Sequence, residues 1–364
     1  MRHHGERQRQ IRTRTQPNCA LCGSSGDLLY SEQQDRLFGV DGSWSLTKCS
    51  SQFCGLIWMN PMPLSEDIGK AYETYYTHAS QDGASQPGGV LKQLYQKIKR
   101  GYLAGEYGYQ TSPKSTLFEV LGKLLYLFPV RRSDVDDDIR CLHAVPHGLL
   151  LDIGCGSGDW LVSMRELGWE VEGVDFDENA VKAAMLKGLR VHCGTLEAQD
   201  YPDECIDAIT LNHVIEHVPD PVATLIECRR ILKKDGRLIL YTPNSASLGH
   251  RLFGEHWRGL EPPRHLHLFS PSSIRALLLL AGFPEPCVST VNSGYLWEHS
   301  FRLYRGSIGS GPRPGLRGRL VKKAVPYLLT LLEQAVLVYK PEVGECLAVQ
   351  AGKTVDAHKK GLKP

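Results

Sequence analysis

The sequence predicts an α/β chain built on a doubly wound, mostly parallel sheet, with a small cysteine-bearing module in front of it. Three observations carry this. From about Gly148 onward, short apolar runs alternate with helical stretches closed by glycine, as at Gly168 and Gly188, the pattern of β-α-β units. A glycine-rich turn, Gly154-Cys-Gly-Ser-Gly158, stands between the first of these runs and the helix after it. Two cysteine pairs, Cys19 with Cys22 and Cys49 with Cys54, precede all of this in polar, Gly-rich surroundings.

Taken in order, residues 1–16 hold five Arg and one Glu with almost nothing apolar, which predicts a disordered basic tail. Residues 17–60 carry the cysteine pairs and short β-prone pieces around Leu28–Tyr30 and Leu56–Trp58. Asn60-Pro-Met-Pro63 punctuates the chain, and Ser65 caps a helix expected to run to about Tyr76. A linker over 77–90, helices near 90–103 and 115–128, and an acidic loop at Asp134–Asp138 complete a helical connector or lid over 61–145.

Leu149–Ile153 then reads as a strand buried on both faces. Asp159–Leu167 is helical, Glu170–Asp175 a strand, Glu178–Lys187 a helix, and Arg190–His192 and Ile206–Leu211 further strands. Asp220-Pro221 opens a helix to about Leu232, Lys233–Gly236 is read as a turn, and Arg237–Tyr241 as a strand. A closing hairpin is placed at Pro286–Asn292 and Glu345–Gln350, so that 146–353 forms one domain with an insertion at 295–343, and 354–364 is a tail.

Composition bounds what this chain does. Hydrophobic residues make up 42% of 364 and charged ones 23%, which excludes collagen, coiled coil and wholesale disorder. A net charge of +2 gives no whole-molecule field to steer the chain to nucleic acid or membrane. No apolar run approaches about 18 residues and the first dozen residues lack an apolar signal core, so a cytoplasmic location is expected. Eleven cysteines, an odd number, argue against a fully paired disulfide framework. Cys19, Cys22, Cys49 and Cys54 read instead as thiolate ligands of a closed, tetrahedral structural zinc site, with Gly23 and Gly55 after the second Cys of each pair.

Gly154, Gly156 and Gly158 let backbone pass close under a ligand. Their G-x-G-x-G spacing departs from a dinucleotide fingerprint, whose third glycine would fall at Asp159. The carboxylate of Asp152 suits a cationic cofactor better than a phosphate, and Asp175, at the next strand's end, can accept ribose hydroxyls.

Together, Leu150–Gly158, Gly173–Asp175, Asn212-His-Val-Ile-Glu-His-Val-Pro-Asp-Pro221 and Leu232–Gly236 resemble the class I S-adenosylmethionine-dependent methyltransferases, in the subgroup of ubiquinone-biosynthesis O-methyltransferases and bacterial sugar or natural-product methyltransferases. The resemblance covers about 148–285. It implies a seven-stranded Rossmann-like sheet and S-adenosylmethionine as cofactor. It places the methionine portion over Gly154, Cys155, Gly156 and Gly158 beside Asp152, the ribose on Asp175, and the adenine near Thr195, Leu196 and Glu197, with Phe176 and Asn212 also counted among the cofactor-binding residues. The family often carries an acid where this chain has Thr195. N-terminal zinc modules of similar pattern occur on sugar methyltransferases.

The reaction so implied is methyl transfer to an oxygen or carbon of a small molecule, plausibly sugar-, polysaccharide- or quinone-related, and a hydroxyl acceptor needs a base. His213 and His217 after the fourth strand, and His265 with His267 in Pro262–Phe269, are the candidates. An RNA methyltransferase and a non-catalytic zinc-ribbon adaptor are the rival readings. Residues 301–332 carry seven Arg or Lys and no acid. This insertion, near the substrate opening, is expected to receive an anionic acceptor, or the helix after it to lie on a membrane surface.

Overall fold

The computed structural model of the chain describes residues 11–72, 90–110, 116–306, 325, 328–330 and 332–354. The strands and helices, in chain order, are β1 (Thr13–Arg14), β2 (Gly26–Gln33), β3 (Trp44–Cys49), β4 (Ile57–Met59), β5 (Met62–Pro63), α1 (Val90–Tyr107), α2 (Thr116–Gly122), α3 (Pro129–Asp138), β6 (Leu149–Ile153), α4 (Asp159–Glu166), β7 (Glu170–Asp175), α5 (Glu178–Leu186), β8 (Arg190–Cys193), β9 (Ile206–Asn212), α6 (Pro221–Ile231), β10 (Leu232–Pro243), α7 (Leu248–Phe253), β11 (His267–Leu268), α8 (Pro271–Leu280), β12 (Cys287–Val291), α9 (Gly294–Tyr304) and β13 (Cys346–Gly352).

Seven strands form one sheet in the order β12-β13-β10-β9-β6-β7-β8. β6, β7 and β8 pair in parallel, and β12 with β13 antiparallel, as the hairpin reading expected. Leu150, Leu151, Ile209, Leu211, Leu238 and Leu240 are buried, so the middle strands are apolar on both faces. Local chemistry sets the helix starts. Asp177 caps α5 by accepting from the Asn179 and Ala180 amides, and Ser270 closes a capping box with Ser273 at the start of α8.

A second sheet has the order β11-β4-β3-β2. Its outer strand β11 comes from beyond the glycine-rich region and pairs antiparallel with β4, His267 opposite Trp58. The cysteine-bearing segment 17–60 therefore shares its sheet with residues far along the chain. Two compact units result. Within the described residues, one draws on segments up to residue 72, 211–229 and 240–351; the other on 90–210, 230–239 and 352–354.

Four expectations are corrected. Residues 11–16 are ordered: Ile11 is buried, the Arg12 amide and Nε donate to Asp67 Oδ2 at 2.8 Å, and β1 pairs with β5. The helix after Ser65 is a 3₁₀ helix, Ser65–Tyr72. The acids at 134–138 lie on α3, not in a loop. Pro129 opens that helix, Asp136 accepts the hydroxyls of Tyr102 and Tyr107 at 2.8 Å, and Arg131 and Arg132 pair with acids one turn on. Lys233–Gly236 is absorbed into β10, where Lys233 pairs with Asp207 at 2.7 Å.

The basic stretch from 307 to 324 and most of the 77–90 linker lie outside the described residues, as do 1–10 and 355–364. No helix among the described residues is long and apolar enough to cross a membrane.

Candidate functional site

At the end of β6 the chain turns through Gly154 (φ +71°), Gly156 (φ +55°) and Gly158 (φ +74°), all left-handed conformations. Gly156 and Gly158 differ in what surrounds them. A Cβ on Gly158 would lie 2.3 Å from Leu189 Cδ1, whereas one on Gly156 would meet nothing within 4 Å. Gly158 thus serves packing, and Gly156 borders open space. The Gly156 amide donates to Asp175 Oδ2 at 2.8 Å and the Asp177 amide to Oδ1 at 2.9 Å, which fixes the carboxylate at the tip of β7 beside the turn.

Around this turn the other candidates divide. Phe176 is 52% exposed, and Thr195 and Glu197 are exposed, while Leu196 is buried in the core and offers only backbone. Cys155 is buried with its thiol pushed up by burial, and its Sγ occupies the room that Gly173 leaves. Asn212 is exposed at the end of β9. Asp152 is not an open carboxylate awaiting a cation. It is buried, and its Oδ1 accepts from Arg140 Nη1 at 2.5 Å and Thr210 Oγ1 at 2.6 Å. Arg140, which the sequence did not single out, lies in turn over the Trp160 ring at 3.5 Å.

The histidine candidates gather in the unit that holds the cysteine module. His213 (φ +55°) follows β9, and its Nδ1 sits 3.2 Å from Glu216 Oε1. Glu216 is fully buried, and its other oxygen accepts from Thr242 Oγ1 at 3.0 Å. Burial opposes its charge, but His213 and its neighbours hold the carboxyl down at about 2. Burial likewise opposes the imidazolium of His213, yet contacts with Cys346 and Glu216 outweigh it and the shift is upward. With 44% of that side chain exposed, water screens those contacts.

His217 and His265 pack edge to face with ring centres 4.7 Å apart. Each points Nδ1 at a carbonyl, that of Arg264 at 3.0 Å for His217 and that of Gly259 at 2.6 Å for His265. A carbonyl only accepts, so Nδ1 carries the proton and Nε2 the lone pair on both rings. Burial drives His265 down to about 4, so it is neutral. Its Nε2 lies 3.5 Å from Glu261 and 4.0 Å from Glu216. His217 is half-buried, and Tyr72 Oη also reaches its Nδ1 at 2.8 Å. Residue His267 is buried in β11 and is part of the core.

Arg264 anchors the assembly. Its guanidinium is fully buried, forks onto both oxygens of Asp35 at 2.9 Å, and donates through Nε to Glu261 at 2.9 Å and through Nη1 to the Ala71 carbonyl at 3.2 Å. Glu261 also pairs with Arg258. Asp35 belongs to the segment that carries the cysteines.

Cys19, Cys22, Cys49 and Cys54 come together, all four sulfurs lying within 4.8 Å of one another. Cys19 and Cys54 are 3.6 Å apart and Cys22 and Cys49 3.4 Å. Gly23 and Gly55 both have φ of +72°, a left-handed turn that glycine takes without strain. Hydrogen bonds from Ser24 lower Cys22 to about 6, whereas burial raises Cys49 to about 11.

A family profile described as a methyltransferase domain matches residues 131–284. Among curated relatives, a ubiquinone biosynthesis O-methyltransferase of Xanthomonas campestris is 32% identical over 175 residues, 44% of this chain and 72% of that protein. One from Xanthomonas oryzae is 39% identical over 102 residues, which span 26% of this chain and 43% of that relative's length. A solved SAM-dependent methyltransferase from Thermotoga maritima, described as a possible histamine N-methyltransferase, is 22% identical, covering 65% of this chain and 95% of its own, with a TM-score of 0.42. Glycine turn, strand-end acid and relatives agree: this chain belongs to the class I S-adenosylmethionine-dependent methyltransferases.

Proposed function

We propose that the chain transfers the methyl group of S-adenosylmethionine to an oxygen or carbon of a small-molecule acceptor. A quinone-related acceptor has the support of the ubiquinone-biosynthesis relatives; a sugar or polysaccharide is the other acceptor class. The observation that carries the reading is the Asp175 carboxylate, clamped by two backbone amides beside Gly156, where an added Cβ would meet nothing within 4 Å.

These residues fit the cofactor. The turn 154–158 would underlie the methionine portion, Asp175 would accept the ribose hydroxyls, and Phe176 would lie against the adenine, with Thr195, the Leu196 backbone and Glu197 along its edge. When bound, the cofactor supplies an electrophilic methyl on a sulfonium, so the protein's task is alignment more than covalent chemistry. Asp152, neutralised by Arg140, supports the turn from beneath; it does not meet the cofactor's charge.

A hydroxyl acceptor must also lose a proton. We assign that role to His217, whose protonated Nδ1 leaves Nε2 as the accepting nitrogen and whose ring is the less buried of the edge-to-face pair. His265 holds His217 in place, and His213, biased toward its charged form, suits a donor. Replacing His217 with Gln should lower kcat on a hydroxyl acceptor by about 10²–10⁴-fold with cofactor affinity unchanged.

Zinc is the ion proposed for the four cysteines, because four thiolates at these spacings make a closed tetrahedral shell. The central test is titration calorimetry with S-adenosylhomocysteine. Asp175→Ala should weaken binding by about 1–3 kcal/mol, the effect of leaving two hydroxyls unpaired. Unchanged affinity, or binding of a nicotinamide dinucleotide instead, would overturn the reading.

A further inference from the structure

A tyrosine from the N-terminal segment reaches the proposed base. Tyr72 ends the 3₁₀ helix Ser65–Tyr72 and belongs to the same compact unit as His217. That helix is tied down at both ends. Near its start the buried Asp67 carboxylate takes Arg12 Nε at 2.8 Å and Lys70 Nζ at 3.0 Å. At its end Ala71 is buried, and its carbonyl accepts from Arg264 Nη1 at 3.2 Å. The phenol of the next residue then lands with Oη 2.8 Å from His217 Nδ1.

The imidazole is held by rings and by oxygens. It lies edge to face against Tyr72, ring centres 6.0 Å apart, and against His265, centres 4.7 Å apart. Nδ1 meets two oxygens, the Arg264 carbonyl at 3.0 Å and the Tyr72 hydroxyl at 2.8 Å. With the proton on Nδ1, the phenol oxygen accepts through a lone pair, and Nε2 keeps its own. The N-terminal segment bears on both contacts: Tyr72 belongs to it, and its Asp35 forks with the Arg264 guanidinium. When Nε2 takes a proton from a hydroxyl acceptor, the ring becomes an imidazolium. Its Nδ1–H bonds are then charge-assisted, about twice as strong as neutral ones. A contact that tightens only as this charge develops acts on turnover, not on substrate binding.

We propose that Tyr72 is a positioning residue for methyl transfer, fixing the His217 ring with its proton on Nδ1 and stabilising the imidazolium formed during turnover. The proposal rests on His217 being the base, and separate readouts test the two. The direct one is long-range proton–nitrogen NMR of the histidine rings in the full chain, nitrogen-labelled at histidine and saturated with S-adenosylhomocysteine. His217 is assigned as the signal set missing from His217→Gln. In alkaline buffer its Nδ1 should resonate as an N–H nitrogen and its Nε2 as a lone-pair nitrogen. Tyr72→Phe keeps the ring and loses the accepting oxygen, so the two signals should move toward each other as the second tautomer fills. On the hydroxyl acceptor used for His217→Gln, Tyr72→Phe should lose about 2–10-fold in kcat, with the acceptor's KM and the affinity for S-adenosylhomocysteine unchanged. That unchanged affinity also shows the variant to be folded. His217 signals that stay put in Tyr72→Phe overturn the proposal alone. So does a shift seen only in Tyr72→Ala, because the phenol would then act by filling space. Turnover by His217→Gln at the wild-type rate overturns the base assignment, and the proposal with it.

Discussion

Gly156 and Gly158 look alike in the sequence and have different jobs in the structure. Both adopt left-handed φ, so alanine at either site brings about 1–2 kcal/mol of backbone strain. At Gly158 the new methyl also collides with Leu189 and Ala184, adding about 1–3 kcal/mol of overpacking. Gly156→Ala should therefore melt only slightly early yet lose S-adenosylhomocysteine binding, whereas Gly158→Ala should show the larger drop in melting temperature. Asp175 and the turn were legible because their chemistry is local and their spacing fixed. The partner of Asp152 was not, since Arg140 stands in an aperiodic polar stretch with no pattern to mark it. Buried titrating groups add a pH dependence. Burial raises Glu333 to about 8 and Glu345 to about 7, and each accepts an indole N–H, from Trp297 and Trp257 respectively. The native state thus holds protons that the unfolded chain, with its ordinary carboxyls, has released, so their stabilisation is present at low pH and fades as pH rises through 7 and 8. His265 and His267, both lowered to about 4 by burial, act in the other direction, losing stability as pH falls from about 6.5 toward 4. Above pH 6.5 only the carboxyls still titrate among these four. Glu333→Gln should accordingly flatten the loss of thermal stability between pH 6.5 and 8, read by differential scanning calorimetry.

At the scale of elements, the cysteine segment is the point where the sequence reading and the structure diverge most. Its ligand spacing was readable, and the four sulfurs do converge. Its autonomy was not: β4 pairs with β11, and the hydroxyls of Ser270 and Ser272 donate to the Cys54 carbonyl at 3.2 and 2.9 Å. No local signal announces a two-residue strand such as His267–Leu268, because its pairing is decided by a partner some two hundred residues away. Metal loss should therefore not unfold residues 17–60 alone. Metal analysis of the reduced protein should find one zinc per chain, and Cys22→Ser or a strong chelator should expose amides of β11 and the 261–266 segment together with those of β3 and β4 in hydrogen exchange. Protection of 261–268 that survives metal removal would restore the independent-module reading. By contrast α1, α2 and the β6–β8 region followed their periodicity closely, since each buries a continuous face against its neighbours in sequence.

For the whole molecule, the informative fact is that each compact unit is assembled from separated stretches of chain. Arg264 and Asp35, 229 positions apart, form a fully buried fork. Breaking such a pair leaves an uncompensated charge, so Asp35→Ala should lower stability by about 3–5 kcal/mol, seen as a shift in the urea midpoint. Asp35→Asn, which keeps one acceptor, should recover part of it. The fold class was readable from the alternation of strands and helices; this interleaving was not, because pairs so distant leave no trace in any window of sequence. The β4–β11 pairing also bears on the order of events at the ribosome. The cysteine segment emerges first, but β4 remains an open edge until residue 268 has been made, with the whole glycine-turn region synthesised in between. A nascent chain halted before that point displays unpaired strand backbone and reactive thiols together, the combination most prone to off-path pairing and most in need of a chaperone's cover.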